Sequence, residues 1–215
     1  MKSNKNFKIF LIFIVVIILV LVCIAVNKYK QYKILMSIVE ETNKVSASDN
    51  YYYEFDSESS VYGHIKIWVK GDYSKYQTVL VDGDKINYTD LKENKTYFVD
   101  NAEKVYSINN MAMKSGFTNF PNTLLLLRNE EKSFIDIALS IKELKTEVVD
   151  TKECYKIRYE NDIINETIWI DKTTLLPIKN QNEEGTLANY TIILNNVTDD
   201  DVMFTNIDEY KLLEQ

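Results

Sequence analysis

The stretch Ile9–Val26 constrains this chain more than any other feature. It reads IFLIFIVVIILVLVCIAV, 18 residues without a charge. As a helix it would span roughly 27 Å at about 1.5 Å per residue, close to the hydrocarbon thickness of a bilayer at about 30 Å. Lys2, Lys5 and Lys8 stand before it, as in the basic start of a secretory signal. The run outlasts the apolar core of an ordinary signal peptide, about 7–15 residues, and only Cys23-Ile24-Ala25 resembles a cleavage site. An uncleaved anchor is therefore expected, ahead of a cleaved signal or a lipoprotein processed at Cys23. The lysine bias across the run is weak, but a long domain behind an N-terminal anchor crosses largely regardless of flanking charge. The expected division is a cytoplasmic segment 1–8, a transmembrane anchor 9–26, a stalk or first helix 27–45 and an extracytoplasmic β domain 46–215.

Charge narrows the partners of the exported part. Without the three leading lysines, 22 of the 25 basic residues remain against 32 acidic ones, a net charge of −10. Nucleic acid is excluded as a partner on that balance, and simple attraction to anionic lipid is weak. The two cysteines are far apart, with Cys23 inside the apolar run, so no internal disulfide is expected and Cys154 reads as a small buried side chain. Five glycines and two prolines leave little room for long flexible linkers.

Periodicity divides the chain beyond the apolar run. Tyr32, Leu35, Met36 and Val39 keep helical spacing up to the polar break at Ser46–Asn50. From Tyr51 the period becomes two. Tyr51, Tyr53 and Phe55 alternate with polar neighbours, as do Val61, Ile65, Ile67 and Val69, the habit of an antiparallel sheet with one buried face. Gly71-Asp72 and Asp82-Gly83 read as hairpin turns, the latter a two-residue one. Short strands follow at 85–89, 95–99 and 104–108. The pattern then breaks over roughly 109–144. Phe117, Phe120 and Leu124–Leu127 surround Pro121, and Ser133-x-x-Asp136 resembles a capping box ahead of Phe134, Ile137, Ala138 and Ile141. Strands resume at 145–150, 153–160, 163–171 and 186–195. The expected fold is mainly β with a helical insert, an α+β arrangement behind a transmembrane helix.

Catalytic chemistry is nearly absent. The single histidine, His64, sits mid-strand among lysines, and neither a Gly-x-Ser-x-Gly elbow nor a phosphate loop accompanies it. Neither a metal nor a cofactor is expected, and the acidic turns 82–84 and 199–201 read as conformational rather than Ca²⁺-binding. A non-enzymatic role follows.

The order helix, meander, helical insert, meander ends in Thr167-Ile168-Trp169-Ile170-Asp171-Lys172, a turn, and Leu176-Pro177-Ile178-Lys179. With the preceding Cys154-Tyr155-Lys156-Ile157, this resembles the LolA-like superfamily of bacterial lipoprotein carriers. Trp169, Asp171, Leu176 and Pro177 carry the resemblance. It implies an unclosed antiparallel half-barrel lidded by helices, with an apolar concave face that holds acyl chains, in carriers, lipid-binding lipoproteins or envelope-stress sensors. The expected anchor departs from a soluble shuttle. A ligand cavity is then expected between Ile65, Ile67, Tyr88, Tyr155, Ile157, Ile168 and Ile170 of the sheet, chosen by alternation, and Leu124, Leu125, Leu126 and Leu127 of the lid. The function expected is binding of lipid or lipidated protein. The alternative is a regulatory or protein-interaction ectodomain of the envelope with the same fold and a closed core.

Overall fold

A computed structural model describes residues 3–57, 64–80, 83–113, 116, 120–129 and 132–213, with side chains from residue 7 onward. The first element, α1 (Ser3–Ser46), is a single helix of 44 residues. Its described side chains from Phe7 to Val26 all stand exposed, and it is long and apolar enough to cross a membrane. Its far end behaves differently. Leu35, Ile38, Val39 and Val45 are buried at 3% exposure or less, so the far part of the segment expected to be a stalk or first helix is a core element of the domain.

Among the described residues, eleven strands make two meanders. The first runs β1 (Asn50–Ser57), β2 (His64–Lys70), β3 (Tyr73–Val79), β4 (Lys85–Asp90), β5 (Lys95–Asp100) and β6 (Val105–Asn109). The second runs β7 (Ile141–Val149), β8 (Lys152–Glu160), β9 (Asn165–Asp171), β10 (Pro177–Gln181) and β11 (Leu187–Leu194). They join through antiparallel pairing of β1 with β11. A two-residue strand β12 (Lys211–Leu212) adds to β6 in parallel. The result is a 12-stranded open sheet with β12 at one edge and β7 at the other. The sheet is unclosed and antiparallel in all but that last pair, the α+β architecture the pattern implies.

This topology explains the insert. Residues 110–140 must carry the chain from β6 to β7, ten strand spacings apart in the sheet. That is about 48 Å along the sheet at about 4.8 Å per strand. The shortest route lies across one face, and there the insert folds α2 (Asn122–Asn129) and α3 (Phe134–Ser140). Ser133 caps α3, its hydroxyl accepting from the Asp136 amide at 3.2 Å. The strand begins at Ile141, earlier than periodicity suggested. Ile141 satisfies the helical spacing and the strand alternation alike, and it closes α3 as its C-cap while opening β7.

Gly71 turns β2 into β3 at φ +57°, a left-handed conformation that costs a residue without a side chain little. The next connection spans residues 80–84 rather than a two-residue turn, since β3 ends at Val79 and β4 starts at Lys85. Gly83 is needed there for space as well as angle, because a Cβ would meet Ala102 Cβ at 2.5 Å. Asp82, the proposed strand start at Val61, and Phe117 lie outside the described residues.

Candidate functional site

Pairing register assigns each strand residue to a face. Tyr53, Ile67, Tyr76, Asn87 and Phe98 lie across from one another on β1 to β5 and share the face that carries the helices. Ile157 and Ile168 pair on the same side in β8 and β9. Beneath the lid, at the centre of the strands from β8 to β2, this inner face is sealed. Ile65, Ile67, Leu124, Ile157, Ile168 and Ile170 are exposed by 2% or less, Leu127 by 6%, and all belong to one core with Leu35, Ile38 and Phe120. Leu125, Leu126 and Tyr155 pack against that core half-buried. The lid here fits tightly, and the residues expected to line a cavity touch one another instead.

Tyr88 is the exception. It pairs with Lys75, which pairs with Trp68, so it stands on the outer face, opposite to Ile67. Alternation gives the faces within one strand, but only register relates one strand to the next. Tyr88 belongs to a different arrangement. Phe204, beyond the short helix α4 (Asp199–Val202), stacks on Tyr88 at 5.1 Å and meets Tyr97, Tyr106 and Tyr210 between 5.3 and 5.9 Å. The C-terminal tail thus covers the outer face of β4–β6.

Glu166 holds the lid. It is 2% exposed and shares its face with Ile168. Its carboxylate accepts the amides of Asn122 at 3.2 Å and Thr123 at 2.9 Å, which are free donors of the first turn of α2, and the side-chain amide of Asn180 at 2.6 Å. A charge on a strand beneath a helix start is favoured both by these hydrogen bonds and by the helix dipole. Beside it burial pushes the Tyr190 hydroxyl far above its ordinary range, with Tyr53 and Glu166 adding to the effect. Glu166 was legible as a lone carboxylate on the apolar parity of its strand, and sequence reading missed it.

The Trp169 motif is a structural device. Trp169 faces outward, 6% exposed, beneath Lys156 at 4.8 Å and Lys179 at 5.5 Å, and its Nε1 donates to Glu147 at 3.4 Å. Lysine stems over an indole bury it while their ammonium groups stay wet. Asp171 accepts the Thr173 amide at 2.8 Å, fixing the turn in which Leu175 takes φ +56°. Leu176 and Pro177 are buried as β10 begins.

Beyond the sealed region the inner face is open. On β3–β6 it carries Tyr76, Asn87, Thr89, Thr96 and Phe98, bordered by Asn109, Met111 and Met113, around a depression of about 270 Å³. Phe98, Met111 and Met113 are 42%, 57% and 69% exposed. Val148 and Leu194, at the ends of β7 and β11, also meet solvent on this face, at 66% and 38% exposure, but away from this depression.

Reactive groups are few. Tyr52 donates to Glu54 at 2.7 Å, and His64 Nε2 also bonds to Glu54, on the outer face. Cys154 is fully buried and burial pushes its thiol up, which makes it a poor nucleophile. No cluster of three or more metal-ligating side chains occurs among the described residues.

An open, mostly antiparallel sheet behind a long apolar N-terminal helix defines an α+β protein of a kind suited to the cell envelope. The chain belongs to the family of predicted periplasmic proteins DUF2092, whose model matches residues 38–191. That span runs from the buried end of α1 to the middle of β11, so it takes in both meanders and the lid. No curated protein matches the sequence. Among solved structures, an uncharacterized conserved protein from Thermus thermophilus aligns with 84% of this chain and 98% of its own at 7% identity and a TM-score of 0.44. PNGF-II aligns in two crystal forms at 13% and 12% identity, each with a TM-score of 0.32. The chain spans about a third of the PNGF-II length, 32% and 31%. The family match places the domain with periplasmic proteins without naming the LolA-like carriers.

Proposed function

We propose that this is a membrane-tethered envelope module that holds a lipid or a lipidated protein on the inner face of its sheet, in the manner of LolA-like proteins. One observation carries the reading: the inner face is sealed beneath the lid at Ile65, Ile67, Ile157, Ile168 and Ile170, while over β3–β6 it is open, with Phe98, Met111 and Met113 exposed around a depression. The site therefore moves from the residues beneath the leucines to Tyr76, Phe98, Met111 and Met113. Methionine and aromatic side chains suit a flexible apolar guest. Each methylene removed from water contributes about 0.8 kcal/mol, so ten would supply on the order of 8 kcal/mol before association costs. Binding should strengthen with chain length and respond little to salt, because the domain is acidic and offers no basic funnel.

The test uses a chain starting at Asn27, which keeps the buried residues of α1. Native mass spectrometry followed by organic extraction should find co-purifying lipid, and a fluorescent fatty-acid probe should bind at micromolar concentration. Phe98→Glu should abolish both while leaving the circular dichroism unchanged. Absence of both lipid and probe binding in the wild-type chain overturns the reading.

The sealed core supports the second reading, a regulatory or protein-interaction ectodomain with no ligand. On that reading the exposed strip is a protein contact, and Phe98→Glu weakens capture of an envelope partner instead.

A further inference from the structure

The lid helix α3 carries a second apolar surface that the core does not use. Ile135 and Leu139, one helical turn apart, are 63% and 64% exposed, and Phe134 is 41% exposed. Ile163, in the turn between β8 and β9, is 72% exposed and borders the same depression as Leu139. Polar turns rarely spend such residues on water without a partner.

The position of this surface along α1 identifies the partner. The ring of Phe134 lies 6.0 Å from Tyr29 and 4.9 Å from Tyr32. At the other end of α3, Lys28 Nζ donates to the carbonyl of Ile141. Both ends of α3 are thus held level with the first two turns that follow Val26. At about 1.5 Å per residue, Lys28, Tyr29 and Tyr32 stand about 3–9 Å beyond the last residue of the apolar run. The headgroup layer of each leaflet is roughly 5–7 Å thick. A chain anchored by Ile9–Val26 therefore brings α3 to headgroup height. Tyr29 follows the habit of interfacial aromatic rings. Lys28, Lys132 and Lys142 stand around the patch with Asp136, Glu160 and Asp162, so its charges are balanced; Asp136 bonds to Ser133 and Glu160 to Arg158.

We infer that Ile135, Leu139 and Ile163 rest in the headgroup layer of the membrane that holds α1, so that the domain lies down on the bilayer instead of standing free above it. This rests on the reading of Ile9–Val26 as an uncleaved anchor. The contact is apolar, and the balanced charges around it leave little preference for anionic lipid. It fixes the orientation of the sheet relative to the membrane, which a flexible stalk could not.

Full-length protein in nanodiscs of phosphatidylcholine and phosphatidylglycerol tests this. An environment-sensitive fluorophore is attached at Leu139→Cys, or separately at Ile135→Cys, in a Cys23→Ala background; Cys154 is fully buried and does not react. The reference site is Lys44→Cys, exposed near the far end of α1, about 27 Å along the helix from Val26. Spin-labelled lipid should quench both α3 positions several-fold more strongly than position 44. An intact chain with equal quenching at 139, 135 and 44 overturns this inference alone. A mature chain whose mass shows loss of residues 1–26 overturns the anchor reading, and this inference falls with it.

Discussion

The inner face of the sheet is one surface with two fates. Beneath the lid, on β2, β8 and β9, it carries Ile65, Ile67, Ile157, Tyr159, Ile168 and Ile170, all under 3% exposed. Over β4–β6 the matching positions hold Asn87, Phe98 and Ser107, and Phe98 is 42% exposed. The same period-two alternation runs through both. What differs is the size and polarity of the inward residue, and hence whether covering it repays the ordering of a helix above it. A surface of β-branched and aromatic side chains draws a lid onto itself. One interrupted by asparagine, serine and threonine does not, and keeps only isolated apolar groups in contact with solvent.

The largest expected effect compares the two halves directly. Ile168→Ala removes a fully buried side chain from beneath α2 and should cost about 4 kcal/mol in urea unfolding, within the usual range of about 2–5. Phe98→Ala, on the open half, should cost under about 1 kcal/mol and instead weaken binding of an acyl probe. Equal costs would mean that the open half is as well packed as the sealed one, and the comparison would break.

Much of this division was legible in the sequence. The alternation around Tyr53, Ile67, Ile157 and Ile168 gave the strands, and Leu124–Leu127 gave an insert that must cover something. What alternation could not give is register between strands, which is a property of pairing rather than of any one segment. That is why Tyr88 was assigned to the wrong face and why the pairing of β1 with β11 was not foreseen. Nor could local pattern find Phe204, whose ring is placed by four tyrosines from other elements. The segment 27–45 reads as a stalk or a first helix alike, because a stalk and a buried helix differ in what lies beside them, not in their own period.

The attachment of the lid gives the next effect. Glu166→Ala leaves two amides at the start of α2 and the Asn180 side chain without their buried acceptor. The cost should be about 2–3 kcal/mol, as for hydrogen bonds to a charged group. Hydrogen exchange should rise in α2 before it rises in β3–β6. Uniform acceleration across both halves would show that α2 belongs to no distinct cooperative unit.

The outer face sharpens the contrast from behind. Phe204→Ala removes the ring that closes the tyrosines of β4–β6, and about 2 kcal/mol is expected for a half-buried aromatic of this kind. The near-ultraviolet circular dichroism of the tyrosines should diminish. Binding at Phe98, on the other side of the same strands, should survive; its loss would mean that the tail shapes the inner face too.

The smallest effect is a pH dependence on the outer face of β1 and β2. Burial pushes the Glu54 carboxyl up, but the hydrogen bonds from Tyr52 and His64 and the charge of Lys66 outweigh it and hold the group below its ordinary range. A carboxyl with a folded-state value below its unfolded value, about 4.3, stabilises the fold above that pH. The contribution is then lost as pH falls through the lower folded value. Glu54→Gln keeps the size of the side chain and removes its titration. The difference in stability between wild type and variant should be present at about pH 5 and shrink below about pH 4. Because Glu54 sits on the sealed half but faces outward, its effect should appear in global unfolding and leave acyl binding at Phe98 unchanged at every pH at which the protein is folded. A difference that instead grew below about pH 4 would mean that burial, not the Tyr52–His64 pair, governs this carboxyl.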